Sequence, residues 1–261
     1  MKKEITFVLT SCGRIDLLDK TLESFFKHNS YKFRELFLVE DSVNNDVYQH
    51  IKKKWHRKLN LIFNKEKKGQ ITSIVDTYKK VKTPYIFHCE DDWVYTRDKF
   101  IEDSFKIMST DEKIIQVWLE SMESASRLDV FEYGPLQKIG NIGFRKVFCK
   151  EGWEWGYFSF RPGVKRITDY ELIGGYSGYK NELDIGVTYK KKGFYTVIIE
   201  EPAVIDIGLD RTIVDPTRKW PKRRKTNHRG GSAGLHLKRG RSCEVKAEKQ
   251  KKSGFSTFSE R

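Results

Sequence analysis

The sequence predicts an α/β protein with a mostly parallel sheet flanked by helices, followed by a smaller region of strands and loops. Three observations favour this class. Short apolar runs alternate with amphipathic helical segments through the first 120 residues, which is typical of β-α units with right-handed crossovers. Polar and acidic side chains follow these runs. Beyond residue 120 the pattern changes to segments rich in glycine and aromatic residues.

Each predicted strand in the first half is a short apolar run, such as ITFVLTS, and each predicted helix has apolar residues at helical spacing. Ile15, Leu18 and Leu22 recur in this way in IDLLDKTLESFFKH. The predicted strands are 5–11, 35–41, 59–64, 84–92 and 113–120, and the helices between them are 15–28, 44–55, 69–81 and 97–108.

The second half is less regular. Residues 140–163 are rich in glycine and aromatic residues and predict strands and loops. Residues 169–194 predict a loop and then a helix from about Asn181, and residues 195–208 return to an apolar strand pattern.

The net charge of +14 belongs almost entirely to the end of the chain. Residues 217–261 hold 15 lysines and arginines against 3 acids, a balance of +12, so the remaining 216 residues carry only +2. We therefore expect a folded domain over residues 1–216 and a basic, mobile tail over residues 217–261.

Composition narrows the class of protein. Apolar residues at 38% and aromatic residues at 13% can fill a core. The four cysteines form no C-x-x-C pair, which disfavours a structural zinc site and a disulfide scaffold and fits a reducing compartment. The first apolar run is too short for a signal peptide, and no run approaches the ~18 apolar residues of a membrane span. We expect a cytoplasmic location, with peripheral membrane contact through the tail as an option.

Polar side chains stand at the ends of four predicted strands. In a parallel sheet these ends share one edge, which is where ligands bind in open α/β folds. We therefore expect the binding site at this edge. The residues concerned are Thr10 and Ser11, Glu40 and Asp41, Asn64, and Glu90, Asp91 and Asp92.

The segment YIFHCEDDWVY places three consecutive carboxylates, Glu90, Asp91 and Asp92, directly after an apolar strand. Adjacent like charges repel one another unless a cation neutralises them. Carboxylate oxygens suit Mg²⁺ or Mn²⁺, which bind one or two carboxylates together with substrate phosphates. A solvated turn before the next helix is the alternative, and the fold pattern favours the metal.

Four motifs in this order resemble those of family 2 glycosyltransferases of the GT-A fold. They are FVLTSCGR, VEDS, CEDDWVY and GGYS followed by NELDIGVTYKKKGF, within residues 4–208. The resemblance implies a nucleotide-sugar donor, a divalent cation at the acidic motif and inversion at the anomeric carbon. It also implies a nucleotide-binding half over residues 1–120 and an acceptor and catalytic half over residues 121–216.

In this family the first strand ends hold the nucleotide of the donor. The resemblance implies that Asp41 accepts the N3–H of uracil, which favours UDP, and that the loop containing Lys68 faces the phosphates. From the residues alone, a helix cap at Ser11, a turn at Asp41 and a solvated loop at Lys68 remain open. The implied donor-binding residues are Thr10, Ser11, Arg14, Asp41, Lys68, Gly69, Gln70 and Asp91.

The resemblance also assigns the chemistry. Asp92 takes the position of the family's best metal ligand, Asp91 would assist it, and Glu90 replaces the usual first acid with a longer side chain. In NELDIG, Glu182 falls on the position of the catalytic base, and Asp184 remains an alternative. Both acids could equally complement the dipole at a helix N-terminus.

The segment GWEWGYFSFRPG is the candidate acceptor wall, since sugar rings stack on aromatic faces. Trp153 and Trp155 would contact the acceptor, although most aromatic residues at this density belong to a core. Arg161 would contact the acceptor, face the diphosphate or pair with an acid. Related enzymes often place a histidine ligand after the final strand, where this chain has Asp206 and Asp210.

The leading interpretation is a metal-dependent inverting glycosyltransferase that uses a glycan, a lipid-linked or a protein-linked acceptor. A sugar-phosphate nucleotidyltransferase would need a Gly-rich basic loop near the first strand, where TSCGRIDLL has one glycine and one arginine. A non-enzymatic membrane or nucleic-acid binder acting through the tail leaves the strand-end acids unexplained. We expect an anionic membrane surface as a possible tail partner and no specific nucleic acid.

Deletion of residues 219–261 separates the enzyme from the tail-driven binder. The truncated chain should keep its stabilisation by nucleotide sugar in a thermal-shift assay, because the strand-end residues remain. It should lose binding to anionic vesicles, since each cation near such a surface contributes about 1 kcal/mol. Loss of nucleotide-sugar binding by a folded truncated chain would support the binder instead.

Overall fold

Strands and helices alternate along the described part of the chain, which comprises residues 3–126, 130–151, 158–208 and 211 of the computed structural model. The strands are β1 (Ile5–Ser11), β2 (Leu36–Glu40), β3 (Asn60–Phe63), β4 (Tyr85–Glu90), β5 (Trp93–Tyr95), β6 (Ile114–Trp118), β7 (Phe131–Tyr133), β8 (Gln137–Ile139), β9 (Ile142–Cys149), β10 (Gly163–Arg166), β11 (Tyr195–Ile199) and β12 (Val204–Asp206). The helices are α1 (Ile15–His28), α2 (Asn45–Trp55), α3 (Gln70–Tyr78), α4 (Phe100–Met108), α5 (Met122–Ala125), α6 (Ile167–Leu172) and α7 (Glu182–Lys191). The predicted strands and helices of the first half all form, with ends that differ by a few residues.

The main sheet has the strand order β10-β4-β1-β2-β3. β1 runs parallel to β2 and β4, and β2 runs parallel to β3, so the predicted parallel sheet is confirmed. Every residue of β1 is buried, which explains its continuous apolar run, because helices cover both faces of such a sheet. In the register, Ser11 lies opposite Glu40, and Thr10 lies opposite Glu90. The predicted polar strand ends therefore share one edge.

Local sequence signals set where the flanking helices begin. α1 buries Leu18, Leu22 and Phe25 on one face, at the i, i+4, i+7 spacing of an amphipathic helix. Asn44 caps α2 by accepting the backbone N–H groups of its second and third residues at 2.9 and 3.3 Å. Gly69 precedes α3 with φ of 79°, a conformation that favours glycine. No helix in the described ranges is long and apolar enough to cross a bilayer.

The strand predicted at 113–120 does not join the main parallel sheet. It forms β6, which lies in a second sheet of order β6-β11-β9-β7, with β8 paired to β9. The free edge of β4 is taken by β10, which is antiparallel to it and places Gly163 opposite His88. A Cβ on Gly163 would lie 3.1 Å from the carbonyl oxygen of Val117. Glycine at this position therefore lets β10 approach the backbone of β6 closely.

A short antiparallel pair, β5 and β12, brings the end of the described domain beside the end of β4. Trp93 pairs with Asp206 and Tyr95 pairs with Val204. α1 anchors this pair, because the Thr21 hydroxyl accepts the Trp93 N–H at 3.0 Å and the Ser24 hydroxyl accepts the Tyr95 N–H at 3.0 Å. Ile207 and Gly208, which follow β12, therefore lie beside the acidic motif.

An aromatic cluster fills the core between α1 and the main sheet. The fully buried ring of Phe25 stacks on Phe7 with 4.3 Å between centroids, and it meets Tyr95 edge-on at 5.2 Å. A second core, on the α3 and α7 side, includes Ile74 and Tyr189. Two packed cores, one beside α1 and one beside α3 and α7, thus support the main sheet, whose edge carries the polar residues.

Several predicted features lie outside the described residues. They are the basic tail over 217–261, the aromatic residues Trp153 and Trp155, and Asp210. The domain boundaries predicted from the sequence stay predictions.

Truncation of Phe25 should destabilise the fold. Phe25→Ala removes a fully buried ring from the aromatic cluster, so the free energy of unfolding should fall by about 3–5 kcal/mol. Phe148→Ala is the matched control, because this ring is 40% exposed and its loss should cost far less. Urea denaturation of the two variants measures the difference, and equal losses would contradict the assigned core.

Candidate active site

The acidic motif lies where β4 ends and β5 begins. Glu90 is the last residue of β4, Asp91 and Asp92 form the turn, and Trp93 begins β5. The side chain of Asp91 is 2% exposed and that of Asp92 is 18% exposed. The turn is thus an inward-facing group of carboxylates, unlike the solvated turn that the sequence left open.

Arg14, directly before α1, binds both aspartates. One guanidinium nitrogen contacts Asp91 Oδ1 and lies 2.9 Å from Asp92 Oδ2. The Ser11 hydroxyl donates to Asp91 at 3.0 Å, and the Cys12 N–H donates to it at 3.4 Å. The Arg14 Nε atom is buried and has no hydrogen-bond partner among the described residues. This N–H group is therefore a buried donor left unsatisfied among the described residues.

Burial and mutual repulsion disfavour the ionised acids of this motif. Burial is the main cause that raises the pKa of Glu90 well above its usual value, and the charges of Asp92 and Glu182 raise it further. Burial and then Asp91 raise the pKa of Asp92 to about 6, although Arg14 opposes the shift. Burial also raises the pKa of Asp91, again against Arg14. Further positive charge here would relieve this repulsion.

The donor atoms suit a divalent cation that is shared with a substrate. They are carboxylate oxygens, which Mg²⁺ and Mn²⁺ prefer. Within the described ranges, no group of three or more His, Cys, Asp or Glu residues could hold a metal alone. An ion at this motif would need further ligands from a substrate, such as phosphate oxygens. Asp92 and Asp91 would hold such an ion here.

Gly208 lies directly against the side chain of Asp92. A Cβ at position 208 would lie 2.2 Å from Asp92 Oδ2, so only glycine leaves room for the carboxylate. The Ile207 N–H donates to the Asp92 carbonyl at 2.9 Å, and the Gly208 N–H donates to Asp206 Oδ1 at 2.8 Å. The charge of Asp206 also raises the pKa of Asp92, after burial and Asp91. Gly208 was not predicted from the sequence as a site residue, and its one signal there is a glycine that follows VID.

Asp41 organises the loop before α3. Its carboxylate accepts the Asn64 side-chain amide at 2.7 Å and the backbone N–H groups of Lys68 and Gly69 at 2.9 and 2.8 Å. A carboxylate offers about four acceptor sites, so these bonds leave about one for a ligand. The side chain of Lys68 bonds to Asp76 at 2.8 Å. Only the backbone of Lys68 therefore belongs to the Asp41 network.

Glu40, which the sequence predicts at the polar edge without a specific role, is a second organising residue. It is fully buried, and one carboxylate oxygen accepts the Gly13 and Ser42 N–H groups, each at 2.8 Å. It thereby ties the loop after β1 to the loop after β2. Gln70, at the start of α3, donates to Glu90 at 2.6 Å and joins the third loop to the acidic motif.

Glu182 and Asp184 occupy the first turn of α7 but face different groups. Glu182 Oε1 accepts the backbone N–H of Phe160, and the charge of Glu182 raises the pKa of Glu90 after burial and Asp92. Asp184 Oδ2 accepts the Lys180 N–H at 3.3 Å, in an exposed position. Glu182 is thus the acid of this pair that interacts with the motif at the end of β4.

Arg161 pairs with an acid, which is one of the roles expected for it. Its guanidinium bonds to Glu120, which is 2% exposed, and lies 4.7 Å from the ring centre of Trp118. The Ser124 hydroxyl donates to the second Glu120 oxygen at 2.7 Å. This buried pair stands at the end of β6, on the predicted acceptor side.

Solved glycosyltransferase structures share this fold. A mannosyltransferase of Pyrobaculum calidifontis, in complex with GDP-Man and Mn²⁺, has a TM-score of 0.53 and 12% identity, over 77% of this chain and 55% of that chain. GalNAc-T7 with UDP, GalNAc and Mn²⁺ has a TM-score of 0.55 and 11% identity, over 77% and 42%. Residues 1–349 of S. aureus TarS have a TM-score of 0.51 and 11% identity, over 77% and 59%. The chain thus spans about half the length of these structures.

The family follows from the sequence itself. The profile described as Glycosyl transferase family 2 matches residues 6–186, and this chain belongs to that family. The resemblance, the α/β fold of GT-A type and the transferase class predicted from the motifs are therefore confirmed. No curated protein sequence matches the chain significantly.

Substitution of Gly208 should weaken binding of metal and donor together. In Gly208→Ala the new Cβ forces the Asp92 carboxylate to move, and loss of such a supporting group typically lowers metal affinity about 10–100-fold. Gly178→Ala is the control, because a Cβ there meets nothing within 4 Å. Titration calorimetry of Mn²⁺ with UDP measures both variants. Unchanged affinity in Gly208→Ala would contradict the role of Asp92.

Proposed function

We propose that this chain is a metal-dependent inverting glycosyltransferase, which moves a sugar from a nucleotide-diphosphate donor to an acceptor hydroxyl. The observation that carries the proposal is the buried acidic motif. It combines Asp91 and Asp92 with Arg14 at the shared end of the parallel strands, within electrostatic range of the Glu182 carboxylate. Membership of the family favours glycosyl transfer over nucleotidyl transfer and over a non-enzymatic binder.

The donor nucleotide would lie along the ends of β1 and β2. Thr10 and Ser11 end β1 there, and Asp41 keeps about one acceptor site that suits the N3–H of uracil. We therefore favour UDP. The loop at Lys68, Gly69 and Gln70 would border the nucleotide, mainly through its backbone. Structures of similar fold are described with GDP-Man and Mn²⁺, with UDP and Mn²⁺, and with UDP, which supports a nucleotide sugar in general.

Asp92 and Asp91 would hold the divalent cation, Mn²⁺ or Mg²⁺, with Glu90 beside them. A bound cation would supply Lewis-acid stabilisation of the negative charge that develops on the leaving diphosphate. Arg14 can contribute to the same end, because its buried Nε–H has no partner in the described part of the chain. Gln70 holds Glu90 at 2.6 Å, which favours a supporting role for Glu90 over direct ligation.

Glu182 would act as the catalytic base, with Asp184 as the alternative. The acceptor hydroxyl would give its proton to Glu182, and the hydroxyl oxygen would bond to the anomeric carbon. The bond from that carbon to the diphosphate breaks, and the electron pair leaves on the diphosphate oxygen. Attack on the face opposite this leaving group inverts the configuration. Arg161 and the segment with Trp153 and Trp155 would border the acceptor, which is a glycan, lipid-linked or protein-linked hydroxyl.

A thermal-shift screen of UDP-, GDP- and dTDP-sugars with and without Mn²⁺ tests the donor. A donor at 100 times its dissociation constant stabilises by about 2.7 kcal/mol, which is about 5–10 °C for a domain of this size. We expect the largest shift with a UDP-sugar and Mn²⁺, and its loss in EDTA and in Asp92→Ala. An undiminished shift in EDTA would contradict the metal assignment.

The turnover numbers of variants at Glu182 and Asp184 identify the catalytic base. Glu182→Gln should keep the donor-induced shift and lower kcat by about 10²–10⁴-fold, because general-base catalysis contributes this much. Asp184→Asn is the matched control from the same helix turn. If Asp184→Asn lowers kcat in this way and Glu182→Gln does not, the base is Asp184.

A further inference from the structure

Lys165 is a buried lysine of β10 that the reaction scheme does not use. It is only 4% exposed. Its Nζ donates to the Ser159 carbonyl at 2.8 Å and to Gln116 Oε1 at 3.1 Å, and it lies 4.6 Å from the ring centre of Phe158. These neighbours are two acceptors and the face of an aromatic ring. They match an ammonium group, which has three donors and no acceptor.

A single peptide group connects Lys165 to Glu182. The carbonyl of Ser159 and the N–H of Phe160 belong to the same peptide bond. Lys165 donates to this carbonyl, and this N–H donates to Glu182 Oε1. A cation on the carbonyl side polarises the peptide and strengthens its N–H as a donor, since linked hydrogen bonds reinforce one another in a low dielectric.

Gln116, on β6, holds Ser159 through the neighbouring peptide and the side chain. Its Oε1 accepts the Ser159 N–H at 3.3 Å, and its Nε2 donates to the Ser159 hydroxyl at 3.2 Å. Gln116 and Ser159 are 1% and 5% exposed. The backbone that supports Glu182 is therefore held by a buried polar network that spans β6, β10 and the segment before β10.

Retaining a charge in this network is costly. Burial lowers the pKa of Lys165 to about 7, and the charges of Glu182 and Glu90 act against this shift. An apolar side chain of similar length could fill the same space without the cost of desolvation. The positive charge of Lys165 is explained if it interacts with the carboxylates of Glu182 and Glu90.

We infer that Lys165 is a positioning residue for the catalytic base, acting through the Ser159–Phe160 peptide. This rests on the proposed role of Glu182. The network holds Glu182 Oε1, and among the described residues Oε2 accepts no hydrogen bond, so it is left to take the proton of the acceptor. Loss of Lys165 should therefore impair the chemical step and leave donor binding unchanged.

The test compares wild type, Lys165→Met, Glu182→Gln and the double variant in the full chain. Lys165→Met should lower kcat about 10–100-fold, with an unchanged donor KM and an unchanged thermal shift with UDP-sugar and Mn²⁺. In the Glu182→Gln background the same substitution should change kcat by less than about twofold, because the residue through which it acts is gone. Lys146→Met is the control, since Lys146 lies over Tyr195 and should leave kcat unchanged.

A purely structural lysine would lower kcat equally in both backgrounds, and additive losses would overturn the inference while the base assignment stands. Unchanged kcat in Lys165→Met would overturn it in the same way. Unchanged kcat in Glu182→Gln would overturn the base assignment and the inference together. If Lys165→Met does not fold, Lys165→Gln replaces it, because its amide still donates towards the Ser159 carbonyl without a charge. The same cycle then applies.

Discussion

The contact between Arg14 and the two aspartates is the interaction on which the polar edge of the main sheet depends. Burial raises the pKa of Asp91 and of Asp92, and Arg14 opposes both shifts. Removal of one member of a buried ion pair typically costs about 3–5 kcal/mol. Arg14 belongs to the loop after β1, the aspartates follow β4, and the Arg211 carbonyl accepts a further Arg14 N–H at 3.3 Å. One guanidinium therefore joins three chain segments that are far apart in sequence. The geometry of the site follows from this balance of charge.

Charged side chains at the end of β4, the start of α7 and in β10 also influence one another. The charge of Glu182 contributes to the raised pKa of Glu90, after burial and Asp92. The charges of both glutamates oppose the lowering of the Lys165 pKa by burial. Arg14 contacts Asp91 and Asp92, and the charges of Glu182 and Glu90 act on Lys165, so each cation compensates a different pair of acids.

Features that depend on short-range pattern could be predicted from the sequence. The continuous apolar run of β1, the helical spacing of Leu18 and Leu22, and the acids after β4 each signal their structure within about ten residues. Because parallel strands share an edge, these local signals also placed Asp41 and Asp92 on the same side of the sheet. Features that depend on long-range pairing gave no such signal. Gly208 and Lys165 look like an ordinary loop glycine and a surface lysine until β12 and β10 are placed beside β5 and β4.

The position of β10 has a consequence for how the chain acquires its shape. β4 pairs with β1 on one side, but its other neighbour, β10, is separated from it in sequence by β5 to β9. During synthesis the second edge of β4 therefore stays open until residue 166 has left the ribosome. Open strand edges invite association with other chains, and contacts of long sequence separation form slowly. A nascent chain that has completed its first four strands therefore carries an unpaired β4 edge, which is covered only when β10 pairs with it.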